Sequence, residues 1–114
     1  MGQIKHIQVK LMYTFRITTT LTGTNVIQAT DYKHANEIAY ADEYNAATYQ
    51  CTQYDWKSIV VEGKYKFPTY GGDVEIFAVN LDTAHQEALE ADWYWASCTG
   101  NLPNPNLIDD IKQI

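Results

Sequence analysis

The chain has 114 residues, 46% of them hydrophobic and 13% aromatic, and a formal net charge of −6. This length suits a single domain over residues 1–114, and no run of about 18 apolar residues is present to span a membrane. The opening Met1-Gly2-Gln3-Ile4-Lys5-His6 lacks the basic-then-apolar order of a secretory signal, and Ile7 stands where N-myristoylation needs Ser or Thr, so a cytoplasmic location is expected.

The charge is uneven. Residues 1–66 carry seven basic and six acidic side chains, whereas residues 67–114 carry Lys112 against eight acids, a net of −7. A carboxylate-rich half repels phosphate backbones and argues against direct DNA or RNA binding. It suits a basic protein partner, for instance a nucleic-acid-binding protein, or serves only to keep the chain in solution. Lysine outnumbers arginine seven to one, a bias consistent with an AT-rich coding source such as a phage.

From Ile7 to Leu21 apolar residues alternate with polar ones, which predicts one long half-buried strand. Thr22-Gly23-Thr24-Asn25 reads as a turn and Val26–Ala29 as the returning strand. Thr30 or Asp31 caps a helix to about Asn45, with Tyr32, Ala35, Ile38, Ala39 and Ala46 facing inward. Asp42 falls within that arc, which predicts fraying from there or, as the less favoured alternative, a nearby hydrogen bond for its carboxylate. Tyr49 to Phe67 is strand-like, with Glu62-Gly63 either a turn or a bulge. Pro68 and Tyr70-Gly71-Gly72 read as a loop, and Val74–Val79 as a further strand.

Asn80 or Asp82 caps a second, acidic helix to about Cys98, and Gly100 stops it. Leu81, Ala84, Ala88, Ala91 and Trp95 form its apolar stripe. Asn101–Pro105 reads as extended, and residues 106–114 as a short terminal helix. No internal repeat is evident. The order of elements predicts an α+β fold, an antiparallel or mixed sheet with two main helices packed on one face.

No catalytic constellation emerges. His6, His34 and His85 are scattered, no zinc-ligand spacing, phosphate loop or nucleophile elbow occurs, and neither a metal nor a cofactor is expected. Cys51 and Cys98 read as two buried or half-buried thiols. Glu87 and Glu90 read as a solvated helix face rather than an acid/base pair.

The aromatic residues are more telling. Successive helical residues turn by about 100°, so Trp93 and Trp95 point about 200° apart and one face cannot bury both. Trp95 belongs inside, which leaves Trp93 and Tyr94 among Asp82, Glu87, Glu90 and Asp92 unless Leu102, Pro103, Leu107 and Ile108 fold back over them. Tyr40 and Tyr44, one turn apart, fall on the outer side of the first helix. Exposed Tyr and Trp bring large contact area at low entropic cost and favour interfaces.

The segments Tyr13-Thr14-Phe15-Arg16-Ile17, Val26-Ile27-Gln28-Ala29-Thr30 and Ala35-Asn36-Glu37-Ile38-Ala39 resemble a strand–turn–strand–helix module of small phage and mobile-element proteins, some anti-CRISPR inhibitors among them. The resemblance is confined to this first hairpin and helix and carries no catalytic residues. It implies a phage-encoded protein acting on a host protein. The expected function is therefore non-catalytic: an acidic inhibitor or adaptor of a larger basic host protein, with Asp82, Glu87, Glu90, Asp92, Trp93, Tyr94, Tyr40 and Tyr44 at the contact. The alternative is a self-assembling structural or virion-type protein that forms homo-oligomers through the edge of its N-terminal strand or its aromatic helix. A small enzyme is the least favoured reading.

Overall fold

The structure, a computed structural model, describes residues 11–114. Ile7 and Val9, the start of the expected long strand, lie outside them. Strand β1 (Tyr13–Thr19) buries Phe15, Ile17 and Thr19 on one face, as its alternation demands. It turns through Thr20–Thr22 into β2 (Gly23–Ala29), earlier than the sequence suggested. The hydroxyl of Thr19 accepts the N–H of Thr22 at 3.0 Å and Gly23 takes the left-handed φ of 72°, so these two residues set the turn.

Helix α1 (Tyr32–Tyr49) is capped by Asp31, whose carboxylate accepts the His34 N–H at 2.7 Å. A single 3₁₀ turn (Trp56–Ser58) leads into β3 (Val60–Thr69), which runs unbroken through Glu62-Gly63. Neither a turn nor a bulge forms there. A Cβ at Gly63 would come within 2.6 Å of the Tyr32 hydroxyl, so the glycine exists for this close approach. The two-residue turn Tyr70-Gly71 connects to β4 (Gly72–Ala78). Helix α2 (Leu81–Thr99) follows, capped by Asn80 and ended by Gly100 at φ 71°. The tail forms α3 (Leu107–Asp110) and a short strand β5 (Lys112–Gln113) absent from the sequence reading.

The strands make one antiparallel sheet in the order β2-β1-β3-β4, with β5 against β3. Both long helices cover one face, so the α+β architecture expected from the order of elements is the one observed. Ala35 and Ala39 of α1 pack with Phe15, Ile17, Ala29 and Val61; Ala84 and Ala88 of α2 pack with Tyr65, Phe67, Ala78, Leu107 and Ile111. The alanines allow close docking of helix on sheet.

The buried positions differ from the expected stripes. They are Ala35, Ala39, Glu43 and Ala47 on α1, and Ala84, Ala88, Asp92 and Ala96 on α2. A step of four residues advances about 40° beyond a full turn, so this line of contact winds slowly round each helix. It thereby reaches an acid in the third turn. Asp42 stays exposed in an intact helix that continues to Tyr49, so the expected fraying does not occur.

These two stripes belong to an internal ββα repeat that is not evident from the sequence. Ala29, Asp31, Ala35, Ala39, Glu43, Ala47 and Cys51 correspond, 49 positions on, to Ala78, Asn80, Ala84, Ala88, Asp92, Ala96 and Gly100. The correspondence extends to hydrogen bonds. Thr52 N–H reaches Ala47 O and Asn101 N–H reaches Ala96 O, both at 2.9 Å. Thr22 N–H reaches the Thr19 hydroxyl, as Gly71 N–H reaches that of Thr69. The first hairpin turn is one residue longer, so in the first strands the offset is 50: Phe15 matches Tyr65 and Ile17 matches Phe67.

The Phe15↔Gly63 and Ile17↔Val61 register of β1 on β3 is compatible with a two-fold relation between the ββα units. Its axis would pass between Thr14 and Lys64. There Ile114 is inserted instead, accepting the Thr14 N–H at 2.8 Å and donating to Lys64 O at 2.9 Å.

Candidate protein-binding surface

Helix α2 presents its unburied side to solvent. Trp93 and Tyr94 are 61% and 62% exposed, and Asp82, Glu87 and Glu90 are exposed on the same helix, Glu90 one turn before them. Trp95 is half-buried over the β3–β4 turn, where a Cβ on Gly71 would collide with its indole. Tyr94 meets the Trp95 ring edge-on at 5.3 Å. The tail does not cover this surface: Leu107 is buried between α2 and the sheet, while Leu102 and Ile108 are exposed. Helix α2 contains no Lys or Arg, and among the described residues Asp82, Glu87 and Glu90 enter no ion pair. Glu87 and Glu90, one turn apart, therefore repel each other without internal relief.

Asp92 has to be removed from this surface. It is 2% exposed, and its Oδ2 accepts the Asn104 N–H at 2.8 Å. Its counterpart Glu43 is fully buried, with both oxygens accepting the Leu21 N–H at 3.1 and 3.3 Å. Both carboxylates are anchors for a neighbouring turn or strap and are unavailable to a partner.

Tyr40 and Tyr44 are 40% and 60% exposed on α1, and Tyr44 packs edge-on against Tyr54 at 5.9 Å. They do not join Trp93 and Tyr94 in one patch. Helix α1 touches the β1–β2 turn through Glu43, and α2 lies by the β3–β4 turn through Trp95. Since β1 and β3 are antiparallel, those turns lie at opposite ends of the sheet. The expected single contact thus resolves into two, with Tyr44 and Trp93 at equivalent positions of the repeat.

The sheet face away from the helices carries a ladder of cross-strand charge pairs. Arg16 binds Glu62 through two nitrogens at 2.9 and 3.1 Å and lies over the Phe77 ring at 4.6 Å. Lys64 pairs with Glu75 at 3.1 Å and Lys66 with Asp73 at 3.4 Å. Here the charges are satisfied within the chain.

The remaining reactive groups are dispersed. Among the described residues no group of three or more His, Cys, Asp or Glu is placed to hold a metal ion. Cys51 and Cys98 are exposed free thiols, contrary to the expected burial, because they fall at the end of α1 and on the outer side of the last turn of α2. No helix of the described residues is long and apolar enough to cross a membrane. No protein-family model matches the chain, and no curated protein and no solved structure shows significant similarity to it.

Proposed function

We propose that this protein is a non-catalytic binding protein that docks on a larger basic protein through the outer face of α2. The observation that carries this reading is the pair Trp93 and Tyr94, more than half exposed on a helix that has three unpaired surface carboxylates and no cation. An aromatic pair of this kind supplies a desolvated anchor, and the acids around it steer a cationic surface and raise its association rate. Inhibitor or adaptor is the role that fits, and the strand–turn–strand–helix resemblance supports a phage-encoded protein acting in a host cytoplasm. A basic nucleic-acid-binding protein is the class of partner that suits this charge, with no direct contact to nucleic acid.

The test is capture from host lysate on immobilised protein at low and moderate salt, with Glu87→Lys/Glu90→Lys protein alongside. A basic protein retained at low salt, weakened as salt rises and weakened by the charge reversal is the expected result. Retention that ignores both salt and the reversal contradicts the reading.

A further inference from the structure

The N-terminal strand β1 offers no free edge over Phe15–Thr18, where β2 and β3 flank it. The sheet ends at β2 and β4 instead, and these two edges differ in kind. On β4 the charged side chains of Asp73 and Glu75 alternate with Val74 and Ile76, which is how a sheet edge is guarded against pairing with another chain. On β2 the sequence Gly23-Thr24-Asn25-Val26-Ile27-Gln28-Ala29 has no charge and no proline, and its seven-residue register with β1 contains no bulge. Val26 stands 62% exposed at its centre. Among the described residues nothing pairs with its outer side.

We propose that β2 pairs antiparallel with β2 of a second copy about Val26, forming a two-fold dimer with one sheet continuous through both protomers. The strand is its own complement in this arrangement: Val26 faces Val26, Thr24 faces Gln28 and Asn25 faces Ile27, with no like charges opposed. The charge distribution selects a copy of the same chain over a basic partner at this edge. The net −7 of residues 67–114 resides in β4, α2 and the tail, on the far side of the sheet from β2. Joining two copies through β2 holds the acidic halves at opposite ends, whereas joining them through β4 would press those halves together. The proposal is independent of the α2 surface, which stays open at each end of the dimer.

Sedimentation equilibrium of the full chain at micromolar concentrations tests it, with Val26→Lys and Val26→Thr as variants and circular dichroism to establish that each is folded. The expected result is a mass twice the 13.0 kDa of the chain, kept by Val26→Thr. Val26→Lys, which sets two like charges opposite each other, should weaken the dimer at least about tenfold with the fold intact. A wild-type monomer at high micromolar concentration overturns the proposal, as does a dimer that a folded Val26→Lys leaves unchanged. If Val26→Lys were to unfold, the wild-type mass and Thr24→Lys/Gln28→Lys, which opposes lysines at the two flanking pairs, decide in the same way.

Discussion

Cys51 and Gly100 occupy the same place in the two repeats, just past the end of a helix, and both have positive φ, 53° and 71°. Glycine adopts that conformation freely, whereas a residue with a Cβ bears a cost of about 1–2 kcal/mol. Replacing Cys51 by Gly should therefore stabilise the fold by about 1 kcal/mol, after allowing for the greater entropy of glycine in the unfolded chain. Gly100→Ala should destabilise it by a similar amount, and thermal melts of the two variants read the opposite signs. Glu43 illustrates a different residue-scale effect. Its carboxylate is the acceptor for the Leu21 N–H, so Glu43→Ala leaves that donor without a partner. A loss of about 2–3 kcal/mol by denaturant unfolding is expected. Sequence alone separates Trp93 from Trp95, because helical rotation does so. It does not separate Asp92 from Glu90, since the decisive partner is a backbone N–H twelve residues downstream.

At the scale of elements, Tyr32 at the start of α1 ties the first ββα unit to the second. Its hydroxyl lies 2.8 Å from that of Tyr65, donates to Ala78 O at 3.0 Å and accepts the Gly63 N–H at 3.2 Å. Burial, then the Tyr65 hydroxyl, raise the Tyr32 phenol well above its ordinary value of about 10. The folded state therefore favours the neutral phenol. The stability this contributes is complete below about pH 10 and is lost as pH rises through the raised value. Unfolding midpoints measured on either side of that range should fall more steeply for wild type than for Tyr32→Phe; equal slopes would contradict the assignment. The stop at Gly100 and the two long helices are legible in the sequence, because each follows from local chemistry; the caps are narrowed there only to Thr30 or Asp31 and Asn80 or Asp82. Strand β5 is not legible, because its pairing depends on where α3 delivers the chain. The repeat is hidden because the two units have little more than alanines, a buried acid and turn residues in common.

For the molecule as a whole, repetition of a ββα unit gives a two-layer plate with one helix-covered face and one charge-paired face. Residues 60–114, the second unit and the tail, carry nine of the 14 acidic side chains. The core positions Ala35/Ala84, Ala39/Ala88 and Ala47/Ala96 are identical, whereas the exposed charged residues are Lys33, Glu37 and Asp42 on α1 and Asp82, Glu87 and Glu90 on α2. That asymmetry is the reason the proposed docking face for a cationic surface is placed on α2 and not on α1. The most direct test of this claim is partner retention by Trp93→Ala/Tyr94→Ala protein compared with wild type, with thermal stability measured on both. Both side chains are more than half exposed, so the melting temperature should shift by only a few degrees. The loss of the anchors should cut partner affinity by about tenfold or more. A variant that melts like wild type and retains the same partner with the same affinity would contradict the assignment of α2 as the binding surface.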